Sequence, residues 1–266
     1  TSSTSELVLR SCAELPMKRE FSGTIPKDPS CPEANEDKFA FSEDGRRLAL
    51  SDGASESFDS KLWADLLVQR FIADPKVRLE WVASVLAEYS AAHEFKSMSW
   101  SKQAAFERGS FATLIGVEQF EEHDAVEVLA IGDSIALLAD GGKLIHGWPF
   151  EDPGKFKERP TLLATVAGHN DFIGVGGFWT LHGKTFHLEG LTDPRLICMT
   201  DALGEWALKE ALAGGSGLAE LLSIQTEDQL SDLVLRERAE KRMRIDDSTL
   251  LVLSFERGKK DALPVA

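Results

Sequence analysis

Apolar positions along this chain change period several times, and each change marks a new element. Residues 6–13 read as a strand. Residues 16–34 carry four prolines and little pattern, which predicts a long loop. Two short apolar runs, Lys38–Phe41 and 47–50, flank Glu43-Asp44-Gly45 and predict a hairpin. The period then becomes helical. Phe58, Leu62, Trp63, Leu66, Leu67 and Phe71 share one face over 58–72, with Ser57 as cap and Asp74-Pro75 as stop. A second helix places Leu79, Val82, Leu86 and Tyr89 on its inner face. Strands are predicted at 111–117, 126–131 and 135–139, followed by a tight turn at Asp140-Gly141-Gly142-Lys143. Residues 147–160 read as a loop, and 161–191 shows no clear period. Within it, the glycines and aromatics of 168–180 predict a flap beside a site. A strand at 195–199, helices at 202–212 and 226–242, and a strand at 249–255 complete the chain. Paired helices between groups of strands predict an α+β fold of antiparallel sheet covered by helices, in a single domain over 1–266.

Charge and composition narrow the function. A chain of 266 residues can bury a sizeable core. Its net charge of −15 argues against nucleic acid or an anionic membrane as the main partner. The three cysteines, Cys12, Cys31 and Cys198, form no C-x-x-C pair, which leaves no thiolate zinc or redox motif. So sparse a count fits a reducing, cytoplasmic setting. The sequence has no apolar stretch long enough for a membrane span and no secretory leader pattern. It lacks a G-x-S-x-G elbow, and Gly174-Val175-Gly176-Gly177 lacks the third glycine of a dinucleotide fingerprint. Its histidines show no H-E-x-x-H spacing, and His169, in the glycine-rich segment, is the one worth testing.

The chemistry lies in short acidic clusters at the ends of apolar runs. They read Asn35-Glu36-Asp37, Ser51-Asp52-Gly53, Gly132-Asp133-Ser134, Thr200-Asp201 with Glu205, and Asp246-Asp247-Ser248-Thr249. Carboxylates at strand ends can converge although far apart in sequence, and such a nest suits hard divalent cations. Asp52 and the Gly53 carbonyl make a compact oxygen pair, although an Asp-Gly turn needs no metal. Asp201 and Glu205, four apart at a helix start, can reach one cation. Taken singly, each cluster also reads as a turn, a cap or a solvated edge.

Their order resembles that of the metal-dependent type 2C protein serine/threonine phosphatases. Gly109-Ser110-Phe111-Ala112-Thr113 and Met199-Thr200-Asp201 belong to the same pattern, which spans about residues 35 to 255. Asp-Gly-Ala-Ser-Glu-Ser, Trp63 and Trp206 are closest to a bacterial branch. The resemblance implies an αββα sandwich with metals at one end between the sheets. It implies hydrolysis of phosphoserine or phosphothreonine in proteins by a hydroxide bridging two Mg²⁺ or Mn²⁺ ions, with a weaker third site. Asp52 matches the bridging ligand and the Gly53 carbonyl a second contact. Asp201 and Asp246 match ligands of the first metal, and Glu36 matches one of the second. Asp37 matches a group holding metal-bound water. Asp133, with Glu205, matches the third site.

Two departures stand out. An arginine that grips the substrate phosphate in many members is replaced by Pro32 and Glu33, leaving Lys18, Arg19, Lys27 or Lys38 as candidate substitutes. Ala54 stands where eukaryotic members often carry a histidine. Two alternatives therefore stay open: a catalytically silent binding module of the same fold, and a small-molecule phosphomonoesterase.

Overall fold

The computed structural model describes residues 17–120 and 124–255, so the strand expected over 6–13 and His123 lie outside the described residues. In chain order the strands are β1 (Met17–Ile25), β2 (Lys38–Phe41), β3 (Arg47–Ser51), β4 (Phe111–Ala112), β5 (Leu114–Gln119) and β6 (Ala125–Ile131). They continue with β7 (Ile135–Asp140), β8 (Lys143–Trp148), β9 (Leu163–Ala164), β10 (Gly183–His187), β11 (Pro194–Met199) and β12 (Ser248–Phe255). The helices are α1 (Ser60–Ala73), α2 (Leu79–Ala91), α3 (Trp100–Arg108), α4 (Phe178–His182), α5 (Asp201–Leu212), α6 (Gly217–Ser223) and α7 (Glu227–Ala239).

Two five-stranded antiparallel sheets stack face to face, in the orders β1-β12-β11-β7-β8 and β10-β6-β5-β3-β2. Strand alternation explains the layers. On β12, Leu251 and Leu253 point toward the other sheet, meeting Leu48, Leu50, Ile115 and Val117. Leu250 and Val252 point outward against Leu203, Trp206 and Leu233 of the α5–α7 layer. That is why β12 reads as a continuous apolar run: it is buried on both faces. The outer face of the second sheet, through Ala49, Leu114 and Ile131, packs on Trp63, Leu67, Trp81 and Val85 of α1 and α2. Each fully buried leucine here stabilises by roughly 2 kcal/mol relative to exposure. The result is the expected αββα arrangement.

The structure departs from the sequence reading in several places. Residues 17–25 form an edge strand, not a loop, because the prolines flank this run and Phe21 and Ile25 turn inward with a bulge between Arg19 and Phe21. The side chain that caps α1 is Asp59, which accepts from the Leu62 N–H at 3.3 Å. Ser57 instead donates to the Ala54 carbonyl at 2.7 Å. Val82 and Tyr89 are inner positions of α2 as expected, but Leu79 is exposed and Trp81 and Val85 are buried beside them. The strand expected over 111–117 breaks at Thr113 into β4 and β5. Residues 147–160 hold the end of β8 and a 3₁₀ turn at Pro153–Lys157. The segment expected to form a flap is a 3₁₀ turn (Ala167–Gly174) pinned by the buried Asn170 amide, which pairs with both backbone polar groups of Ala164. Only beyond it do Val175, Trp179 and Leu181 stand exposed. Among the described residues no helix is long and apolar enough to cross a membrane.

Candidate metal centre

The acidic clusters meet where strands from both sheets end. Asp52 follows β3 and is fastened to Thr113 in both directions. Its N–H donates to Thr113 Oγ1 at 2.9 Å, and its carbonyl accepts from the Thr113 N–H at 2.9 Å. This fastening is what breaks β4 from β5. Thr113 Oγ1 also lies 2.8 Å from Ser134 Oγ, tying the Asp133 turn to the same knot. Two glycines make the close approach possible. A Cβ at Gly53 would lie 2.9 Å from the Ser60 carbonyl oxygen, and one at Gly132, where φ is +101°, would lie 2.6 Å from Thr113 Cγ2.

Asp37 precedes β2 and is buried. Its Oδ2 accepts from Thr249 Oγ1 at 2.7 Å and Thr200 Oγ1 at 3.1 Å, while its Oδ1 is buried with no partner. Burial, reinforced by the charges of Asp247 and Asp201, pushes its carboxyl up to about 8 despite those hydroxyls. Asp52 is pushed well above the ordinary carboxylate range, by burial first and then by Asp37, Asp201, Asp246 and Asp133. Asp133 rises to about 7 through burial and the Asp201 charge. Asp246 is raised by the same two causes. Burial and the charge of Asp201 act on all four, so they share one neighbourhood. Asp201 opens α5, and its Oδ1 too is buried with no partner.

Other acids at the centre are tied to cations. Arg244 bridges Asp201 Oδ2 at 2.6 Å and Glu205 Oε2 at 3.2 Å, so this pair does converge on one positive group. Lys209 holds Glu205 Oε1 at 2.7 Å. Burial raises the Glu205 carboxyl, but Lys209 and Arg244 outweigh it and leave it lowered. Glu36 is likewise lowered: burial opposes ionisation, but Lys27, Ser55 and Ser60 outweigh it. Lys27 Nζ lies 2.8 Å from Glu36 Oε2, and Ser60 Oγ donates to Oε1 at 2.5 Å. Of the four cations considered for the missing arginine, Lys27 is the one on a carboxylate of the centre. Lys38 Nζ donates to the Asp37 carbonyl at 2.7 Å, Lys18 lies 3.5 Å from Glu20, and Arg19 lies over the Phe41 ring.

Three more residues hold this centre; the sequence reading placed Asp247 in an acidic cluster without a role and did not single out Arg238 or Arg244. Asp247 accepts the backbone N–H groups of Lys27 at 2.6 Å and Glu36 at 2.8 Å, stitching two loops together. Arg238, on α7, donates to the carbonyls of Asp246 and Pro26, fixing the turn into β12. Arg244 was visible only as the end of the basic run Lys241-Arg242-Met243-Arg244, two residues before Asp246.

The donor set fits hard divalent cations. It is all oxygen, strongly self-repelling, and carries two buried carboxylate oxygens with nothing bound to them. Among the described residues no three acids, histidines or cysteines already close into a cation cage.

No family model and no curated protein matches this sequence. Solved structures do. The photosystem II phosphatase PBCP aligns with 91% of this chain and 100% of its own, at a TM-score of 0.55 and 13% identity. A bacterial serine phosphatase aligns with 92% and 100%, at 0.54 and 15%. The serine/threonine phosphatase Stp1 from Staphylococcus aureus aligns with 92% and 96%, at 0.53 and 16%. At such identities the likeness is one of fold: this chain folds as these phosphatases do, and its acidic motifs stand at the sheet ends of the architecture that their type 2C resemblance implied.

Proposed function

We propose that this chain is a divalent-metal-dependent phosphatase acting on phosphoserine or phosphothreonine in proteins. The observation that carries the reading is the pair of buried carboxylate oxygens, on Asp37 and Asp201, that lack any partner, in a neighbourhood where burial and the Asp201 charge raise Asp37, Asp52, Asp133 and Asp246. Left alone, such a set costs folding free energy; a bound cation converts the same repulsion into affinity.

Asp52, Asp201, Asp246, Asp133, Glu36 and the Gly53 carbonyl are the residues that would hold Mg²⁺ or Mn²⁺. Those ions, when bound, supply a lowered water pKa and neutralise charge on phosphoryl oxygens. The chain's own residues do the rest. Asp37, with Oδ2 anchored by Thr200 and Thr249, keeps Oδ1 free to accept a proton or orient a water. Lys27, held between Glu36 and Ser55, offers an ammonium to a substrate phosphate oxygen as a point charge where the family's arginine is missing. Arg244 must yield if Asp201 and Glu205 are to hold a cation together, so metal and guanidinium compete for the same oxygens.

The test is hydrolysis of a phosphothreonine peptide, p-nitrophenyl phosphate, and a set of sugar and nucleotide phosphates, each with Mn²⁺, Mg²⁺ or chelator. Metal-dependent turnover favouring the peptide is expected. A preference for the small esters would make it a small-molecule phosphomonoesterase, and no turnover by metal-loaded protein would make it a silent binding module.

A further inference from the structure

A groove of about 1060 Å³ opens beside the acidic centre. One wall is the loop Ala54 to Asp59, which begins at the residue after Gly53. The other is the run Arg159-Pro160-Thr161-Leu162, and the last turn of α3 brings Arg108 to the same space. Ser55, on the first wall, is bonded by Lys27 at 2.5 Å, and Lys27 holds Glu36. The groove and the centre therefore share a rim.

Size and charge identify an occupant. The volume slightly exceeds the roughly 300–1,000 Å³ of most small-molecule sites and leaves room for several residues of an extended chain. Phe58, Phe111 and Leu162 give the groove apolar surface for the aliphatic parts of such a chain. Arg108 and Arg159 are both exposed, and neither side chain makes a hydrogen bond or ion pair among the described residues. They stand on a chain whose net charge of −15 disfavours acidic ligands overall. Two acids share the groove. Asp59 is committed to the Leu62 N–H and to His93 at 2.9 Å, and Glu56 stands exposed. Guanidiniums with free donor forks suit carboxylates.

We infer that this groove seats the peptide flank of the substrate, and that Arg108 and Arg159 select phosphorylated segments with aspartate or glutamate beside the phosphorylated residue. The inference rests on the phosphatase reading for what lies at the centre, but its groove can be tested by binding alone.

Two fluorescein-labelled phosphothreonine peptides of equal length are compared, one with acidic and one with neutral flanks, on the full chain with Mn²⁺. The wild type is expected to favour the acidic peptide in kcat/KM. In the double variant Arg108→Gln with Arg159→Gln, the acidic-to-neutral ratio is expected to fall about tenfold or more, chiefly through KM. Arg159→Glu alone is expected to invert the preference, and the wild-type preference should shrink as salt rises. A ratio that is the same in wild type and variants, with turnover present, overturns the inference and leaves the phosphatase reading standing. If no peptide is hydrolysed, fluorescence polarisation decides. A preference for the acidic peptide that the double variant loses supports the groove while the phosphatase reading falls. Equal binding of both peptides, or none, overturns it.

Discussion

Glu237 and Asp37 are both carboxylic acids shut away from water, yet their surroundings treat them in opposite ways. Glu237, on α7, receives Arg242 at 2.6 and 2.8 Å, Arg236 at 3.0 Å and the Trp206 indole at 3.0 Å. Arg242 first, then Arg236, hold its carboxyl down to about 2 against the opposing effect of burial. Asp37 is offered two hydroxyls and three acidic neighbours, and rises to about 8. Burial of an acid is therefore not in itself a sign of function. Glu237 has guanidiniums of its own, whereas Asp37 has none among the described residues, which is what the proposed cation site would use.

That contrast breaks or sharpens under mutation. The largest effect is expected on turnover: Asp52→Asn should cost roughly a thousandfold in kcat/KM on a phosphothreonine peptide, since it weakens the group central to the cluster. Glu237→Gln should leave turnover within a few-fold of wild type. Stability should show the reverse. Glu237→Gln replaces one of the two acceptor oxygens, strands the two donors on it, and is expected to lower the melting temperature by roughly 5 °C. In chelator, Asp52→Asn should instead melt at or above the wild type, because it removes repulsion that nothing offsets. If both variants destabilise the metal-free protein alike, the contrast is wrong.

A smaller effect is expected in the pH dependence of melting. A carboxyl whose folded pKa lies above its unfolded value binds more protons when folded, so its contribution is present in acid and lost as pH rises. Asp37, at about 8 against an ordinary 3.8, and Asp133, at about 7, set the window. The metal-free protein should lose stability between about pH 4 and pH 8, and Mn²⁺ should flatten that slope because it favours the ionised carboxylates. Glu237, at about 2 against 4.5, works in a separate window: its contribution is present above the unfolded value and lost as pH falls through about 2. A metal-free melting curve that rises across neutral pH would contradict the assignment.

Much of this was legible in the sequence where one element carries its own signal. The hairpin of β2 and β3, the face of α1, and the existence of α5, α7 and β12 follow from period and turn chemistry. The edge strand β1 was hidden because Lys18, Arg19 and Glu20 lie exposed in a row beside a bulge. Helix α3 was hidden because it buries no residue, and α6 because it is only seven residues long and follows a Gly-Gly stop. The acids of the centre were legible as carboxylates beside Gly, Ser or Thr at strand ends. Their partners were not. Thr249 meets Asp37 across 212 positions and Lys27 meets Asp247 across 220, pairings that topology creates and no local spacing encodes.

The central claim is that the acidic set at the sheet ends is a divalent-cation site. Calorimetric titration of Mn²⁺ into wild-type protein and Asp52→Asn, in buffers of different protonation enthalpy, tests it most directly. The account predicts binding by the wild type with release of protons, and weak or no binding by Asp52→Asn. No binding by the wild type, or binding that Asp52→Asn leaves intact, would contradict it.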